Sequence, residues 1–328
     1  MKNIVVNASA AREGGALSIL NMYIESKIHS KDECYIVLSP LRPTTLPLNA
    51  IWIKKETFGL NTLLFSLFFV WYYCLKYSSS RIVSFSNVNV CFRVQEKVTY
   101  FHQALIFTND EFKFRVYRFV IKYLFQNGSE IITQSPYVRN LYLRRFGLNR
   151  NVRVCWPGIS DQFMNYTNAK CKMSKIKNVF VPIVDVNNKN KNFSLAYDLI
   201  SSSFCDDLTF KVTTESLGDR FDLLPNISCL GYLEPEDYLK ELSGCDAVLI
   251  TSVVETVCLP IFEAVSLGKI ALVYEQDYIK DIISYHGEPE NIFLFRNRSE
   301  FLKVIVNFEC HEFYFNCNSS LYSSDWSF

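Results

Sequence analysis

The segment 251–264 reads TSVVETVCLPIFEA and gathers the residue types best suited to chemistry in this chain. An apolar, β-branched run ends at Thr251, a loop bears Glu255, and Pro260 stands where a helix can begin without losing a hydrogen bond. Glu263 is expected in the first turn of that helix. The amides of Val257, Cys258 and Leu259 would then lack intrahelical partners and face outward. Such a helix start attracts a diphosphate, and two flanking carboxylates can accept hydrogen bonds from sugar hydroxyls. The same glutamates would equally serve as exposed partners of the helix dipole, worth under about 1 kcal/mol each. Two further groups invite a role. His102 follows a strand-like run at 97–101, and the loop after a parallel strand is where ligands are met, although a lone histidine there also suits a satisfied polar position. Lys191 closes the run VDVNNKNK just ahead of a helix, a run that also reads as a solvated turn.

The elements that must position these groups alternate along the whole chain. In the first half, strands are expected at 4–6, 35–38, 51–53, 81–85, 97–101, 130–133 and 152–154, with helices at 14–26, 59–77 and 111–125. In the second, strands fall at 178–184, 208–212, 227–230, 246–251, 270–274 and 292–295, with helices at 237–243 and 259–267. Short β-branched runs alternating with helical patterns predict parallel sheets built from βαβ units. Between the halves, 161–177 is polar and lysine-rich with no apolar face, as in a linker. The expected architecture is therefore α/β: a Rossmann-like domain over 1–160, a second over 178–305, and a tail, 306–328, that follows no pattern. At 328 residues, two cores are the natural division.

Composition narrows the function classes. With 34 basic and 33 acidic residues the net charge is +1, which builds no long-range field for nucleic acid; none is expected as a partner. Eleven cysteines without a repeated C-x-x-C pair, behind a start that runs straight into a strand, read as reduced thiols in a cytoplasmic compartment. Cys310, His311 and Cys317 match no common zinc spacing, and no metal or cofactor is expected.

Beyond these readings the sequence resembles a known family. Glu255 and Glu263, followed by Ala264 and Leu267-Gly268-Lys269, look like the E-x7-E element of family 4 retaining glycosyltransferases of the GT-B fold. The likeness includes Gly14-Gly15-Ala16, Tyr100-Phe101-His102-Gln103, 131–138 (IITQSPYV) and Trp156-Pro157-Gly158-Ile159 in the first half. In the second it takes in Lys191-Asn192-Phe193, Leu230-Gly231-Tyr232-Leu233 and Gly244-Cys245-Asp246-Ala247. The resemblance implies two Rossmann-like domains whose parallel sheets face across a cleft.

It also implies roles. Glu263 would bind the ribose hydroxyls of a nucleotide diphosphate sugar. Glu255 would contact the transferred sugar, and the amides of Thr256, Val257, Cys258 and Leu259 its phosphate. Lys191, seconded by Lys189, would neutralise the leaving diphosphate. Gly14 and Gly15 would lie against donor and acceptor where no side chain fits, His102 would face the donor sugar, and the backbone at Leu230, Gly231 and Tyr232 would hold the base. No D-x-D motif is present, and a lysine with helix amides can stabilise the departing charge without a metal. The sequence departs from the family in two places: no arginine stands within 184–190, the few residues before Lys191, and Thr256 and Cys258 replace glycines of the E-x7-E element.

The activity implied is transfer of a hexosyl or N-acetylhexosaminyl group to a saccharide acceptor on a lipid diphosphate carrier, in synthesis of a surface polysaccharide such as O-antigen or capsule. An inactive sugar-nucleotide-binding protein and a sugar-nucleotide epimerase are the alternatives. A nicotinamide oxidoreductase would need G-x-G-x-x-G, and only Glu13-Gly14-Gly15 is present. Two segments bear on a membrane. The helix at 59–77 is uncharged until Lys76 and reads as buried or interfacial. The helix at 111–125 is expected to gather Phe112, Val116, Phe119, Val120 and Tyr123 on one face beside a basic stripe of Arg115, Arg118 and Lys122. That stripe would suit anionic headgroups at the inner face of the cytoplasmic membrane, or a plain helix covering a sheet.

Overall fold

A computed structural model describes residues 2–12, 14–124, 126–148, 150–164, 171–173, 175–219, 221, 224–287, 289–306, 308, 311–313 and 320–328. The chain divides into two compact units, one formed by Met1–Gly158 with Ser323–Phe328, the other by Ile159–Tyr322.

The first unit runs β1 (Lys2–Asn7), α1 (Gly14–Glu25), β2 (Glu33–Ser39), β3 (Ala50–Lys54), α2 (Gly59–Leu64), a π-helical turn (Phe65–Phe69) and α3 (Val70–Lys76). It continues with β4 (Arg81–Ser84), β5 (Glu96–Phe101), α4 (Leu105–Thr108), α5 (Phe112–Tyr123), β6 (Glu130–Thr133), α6 (Pro136–Phe146) and β7 (Val152–Val154). All seven strands are parallel, in the order β3-β2-β1-β4-β5-β6-β7. The stretch 59–76 covers the sheet centre, with Phe65, Val70 and Cys74 packed on Val5, Ile36 and Ile82. Inside it, the Ser66 hydroxyl receives Nδ2 of the fully buried Asn7 at 2.9 Å, so the polar interruption of that apolar run has a partner. Its other face is exposed and apolar. Among the described residues no helix is long and apolar enough to cross a membrane.

α5 corrects the sequence reading. Its buried residues are Phe114, Arg118, Val120 and Ile121, while Phe112, Phe119 and Tyr123 of the face expected beside the basic stripe are exposed. Arg118 belongs to no surface stripe: its guanidinium donates to the carbonyls of Ile106 and Asn109 and to the Asp110 carboxylate, each within 3.0 Å. Helical spacing alone could not choose between two apolar faces, since aromatics occupy both.

The second unit runs α7 (Asp161–Met164), β8 (Cys171–Met173), β9 (Asn178–Val181), α8 (Phe193–Ile200), β10 (Thr209–Val212), β11 (Ile227–Cys229) and α9 (Pro235–Gly244). Then come β12 (Ala247–Ile250), α10 (Leu259–Ser266), β13 (Ile270–Tyr274), α11 (Asp277–His286), β14 (Ile292–Phe295), α12 (Arg298–Val306) and β15 (His311–Phe313). Its sheet is also wholly parallel, ordered β11-β10-β9-β12-β13-β14, and β8 pairs with β15 antiparallel. The strand order reverses between β9 and β12, the switch point where the loops on either side diverge and leave room for a ligand.

Of the segment expected as linker, Phe163 and Ile176 are buried, and 165–170 and 174 lie outside the described residues, as do Cys310 and Cys317. The tail has a structural role at its end. Trp326 and Phe328 pack on Tyr23 and Tyr100 of the first unit with ring centroids 5.4–5.7 Å apart, and Lys27 Nζ donates to the carbonyls of both tail residues.

Candidate functional site

Lys191 and Glu255 lie 64 residues apart in sequence and meet because their loops leave adjacent strands of the second sheet. The loop after β9 is a nest of turns. The Asp185 side chain accepts from the amide of Asn187, the Asn188 side chain from that of Asn190, and Lys191 donates its own amide to the Asn188 carbonyl. The loop after β12 is laced to it: Val253 donates its amide to the Asn190 carbonyl at 2.8 Å, and the Thr251 hydroxyl donates to the Lys191 carbonyl at 2.8 Å. Lys191 Nζ then reaches Glu255 Oε1 at 2.6 Å. Burial alone would lower the Lys191 pKa, but the charge and hydrogen bond of Glu255 more than offset it, so the ammonium is held charged. The run that could have been a solvated turn is thus fixed with its cation at the switch point. Lys189, in contrast, is exposed on the turn before it.

α10 starts at Leu259 with Pro260 in its opening positions, as the sequence implies. The residue before it, Cys258, adopts a left-handed conformation (φ 62°, ψ 65°), which a side chain tolerates poorly and glycine readily. That explains in physical terms why a glycine suits this position. The Cys258 thiol is buried, and burial together with Glu255 pushes its pKa up, so it stays protonated. Val257 is buried, while Thr256 and Leu259 are partly exposed.

Glu263 departs from expectation in one way: with α10 beginning at Leu259 it stands one turn in, not in the first turn. It is buried, 8% exposed, which excludes the alternative of a solvent-facing partner of the helix dipole. Burial raises its pKa to about 7, against the opposing hydrogen bond from the Tyr238 hydroxyl to Oε2 at 2.9 Å. Glu255, on the loop, is partly exposed.

Leu230, Gly231 and Tyr232 follow β11 at the same carboxyl edge. Leu230 and Gly231 donate their amides to Val212 and Thr214, and Gly231 turns the chain at φ +75°. In the first unit, Gly14 opens α1 at φ +57°, but a Cβ on Gly14 or Gly15 would meet nothing within 4 Å. The requirement for glycine that the protein itself imposes there is therefore conformational, at Gly14; its own atoms leave room for side chains at both. Glu13 lies outside the described residues. His102 follows β5, its amide bonded to the Asn87 side chain at 2.8 Å. Burial lowers its pKa to about 4, and its Nδ1 is buried without a hydrogen-bond partner among the described residues. It is neutral at ordinary pH and not a satisfied polar residue.

No protein-family model matches the chain, and no curated protein matches it in sequence. Solved structures do match. WaaG, a glycosyltransferase involved in lipopolysaccharide biosynthesis, aligns at TM-score 0.65 and 12% identity over 93% of this chain and 90% of its own. Sucrose-phosphate synthase from Thermosynechococcus elongatus aligns at TM-score 0.66 and 12% identity, over 94% and 90%. HepE of Anabaena, solved with UDP and glucose, aligns at TM-score 0.64 and 14% identity, over 94% and 89%. The fold is GT-B. Identity this low shows architecture and leaves the chemistry to be argued from the residues.

Within the GT-B fold, three participants in the site escape the sequence reading. Tyr238 sits in a helix whose other first-turn residues are exposed, and Asn190 and Thr251 act through backbone carbonyls or a hydroxyl. Only the adjacency of β9 and β12 brings them together, and no local motif encodes it.

Proposed function

We propose that this protein is a retaining glycosyltransferase. It moves a hexosyl or N-acetylhexosaminyl group from a nucleotide diphosphate sugar to a saccharide acceptor carried on a lipid diphosphate, in surface polysaccharide synthesis of the O-antigen or capsule type. The observation that carries the reading is the grouping at one switch point of a buried carboxyl, a held ammonium and the amino end of α10. HepE, solved with UDP and glucose on the same fold, supports it. In this reading Glu263 takes the ribose hydroxyls, and the backbone at Leu230, Gly231 and Tyr232 the base. The amides of Thr256 to Leu259 take the phosphate, Glu255 the sugar, and Lys191, with Lys189, the leaving diphosphate. Gly14, Gly15 and His102 are assigned to the same donor and its acceptor; His102 is neutral, and a neutral imidazole can either donate to or accept from a hydroxyl. The C1–O bond to phosphate breaks as the acceptor oxygen bonds C1 on the same face. The acceptor's proton passes to the leaving phosphate, whose charge Lys191 neutralises, and no metal is assigned a role.

UDP-, GDP- and ADP-sugars tested for protection against thermal unfolding should single out one base. A ligand at 100 times its Kd adds about 2.7 kcal/mol to apparent stability. The double variant E255Q/E263Q should lose both that protection and transfer; undiminished transfer would refute the assignment. Donor binding without transfer would mark an inactive binder, and donor consumption without acceptor an epimerase.

The reading places the enzyme in the cytoplasm, peripheral at the inner membrane face. The supporting surface keeps Arg115 and Lys122 of the stripe expected from sequence but not the buried Arg118. It is the exposed side of 59–76 (Leu64, Phe68, Phe69, Tyr72) beside Phe112, Phe119 and Tyr123 of α5, with Lys113, Arg115 and Lys122 exposed among them. The two elements share a core through Leu63, Leu67, Phe114 and Ile121. Removing an inserted aromatic costs about 1.5–3 kcal/mol of burial, so Phe69→Asp and Phe119→Asp should each weaken binding to phosphatidylglycerol vesicles about tenfold or more. Wild-type protein that stays in the supernatant with such vesicles at low salt would end the membrane assignment.

A further inference from the structure

Tyr238 stands in the first turn of α9, which reaches from the end of the loop after β11 back over β9. Its ring packs edge-on against the fully buried Phe180 of β9, centroids 5.5 Å apart, and its hydroxyl donates to Glu263 Oε2. The helix that carries Tyr238 is therefore tied to the sheet on one side and to α10 on the other. Glu263 itself has three rotatable bonds, and one point of attachment decides where its second oxygen faces. A guanidinium in the place of Tyr238 would occupy both oxygens; a phenol occupies one.

We infer that Tyr238 is a positioning residue of the donor site: by holding Oε2 of Glu263 it sets the plane of the carboxyl group and leaves Oε1 free to accept from the vicinal hydroxyls of a nucleoside diphosphate. The inference rests on the donor-site reading above. The electrostatic surroundings agree with it. The groups facing Glu263 are the Tyr238 hydroxyl from α9 and the Cys258 thiol from the start of α10; Lys191 and Glu255 face that thiol and each other. Burial favours the neutral acid, and the Tyr238 hydrogen bond is what favours the carboxylate that a pair of hydroxyls would bind.

The test is a cycle of wild type, Y238F, E263Q and the double variant, read two ways. First, UDP, GDP and ADP binding is followed by calorimetry from pH 5.5 to 9. For whichever nucleotide binds, Y238F should move the acid limb of affinity upward, weaken binding about 5- to 10-fold near pH 7 and recover at pH 9. It should change nothing further in the E263Q background. Second, without ligand, Y238F should destabilise the full chain increasingly as pH rises through neutrality, and by a pH-independent amount when Glu263 is Gln. A Y238F effect that is the same at every pH, or the same in both backgrounds, overturns the inference. Failure of wild type to bind any of the three nucleotides overturns the donor-site reading, and the inference with it. The ligand-free arm separates that outcome from an uncoupled Tyr238–Glu263 pair.

Discussion

Replacing Lys191 with Met is expected to lower the rate of sugar transfer by about 10²- to 10³-fold, the usual cost of removing one preorganised group from a site of developing charge. The donor's KM should change far less, because in the proposed reaction the charge that Lys191 would meet grows as the C1–O bond breaks. Its ammonium is already in place: the loop carrying it is laced to the loop after β12, and Glu255 holds Nζ at 2.6 Å. The side chains are 30% and 18% exposed, so Lys191→Met also leaves a partly buried carboxylate without its partner. Stability should fall by about 1–3 kcal/mol in Lys191→Met and be partly restored in K191M/E255Q, where no unpaired charge remains. Nucleotide release in single-turnover experiments and denaturant titrations would measure the two effects separately. A Lys191→Met enzyme within about threefold of wild type would exclude Lys191 from the reaction.

The sheets were legible because parallel strands buried on both faces read as unbroken apolar runs: β12 is AVLI and β13 begins IALV, and in both those four residues are buried. Legible too was the grouping of Glu255, Pro260 and Glu263, since a proline at a helix start is a local rule. What failed was whatever depended on which face of a helix meets the sheet. α5 carries aromatics on both sides, and its sequence gives no sign that Arg118 is the residue turned inward to close three acceptors. α6 and α11 fall where no helix is expected. In α6 only Val138, Tyr142 and Phe146 are buried, amid an asparagine and three arginines, too thin a stripe to announce itself. The ends of the chain posed a different problem. Trp326 and Phe328 look like a patternless tail, and only the folded first unit supplies the aromatic surface they complete.

Glu263→Gln is expected to make the protein more stable at alkaline pH while depriving it of donor binding. In the folded chain burial holds the Glu263 carboxyl at about 7, whereas in the unfolded chain it titrates near the ordinary value of 4.5. Below that ordinary value both states are protonated and the stabilising contribution is fully present. As pH rises toward 7 the unfolded chain sheds the proton first, and folding stability is lost steadily until the folded group ionises as well. The difference of about 2.5 units corresponds to roughly 3 kcal/mol, all of it gone by pH 8. Glutamine keeps the shape and can accept from Tyr238, yet never ionises. Equilibrium denaturation of the full chain should therefore show Glu263→Gln gaining on wild type by about 3 kcal/mol between pH 4 and pH 8. At pH 8 the same variant should show no protection by the nucleotide that stabilises wild type. Gains of stability at the expense of function are what a buried, solvent-starved acid at a binding site predicts. A Glu263→Gln curve that runs parallel to wild type across that range would mean the carboxyl is hydrated in solution, and the buried acceptor on which the proposed donor recognition rests would not exist.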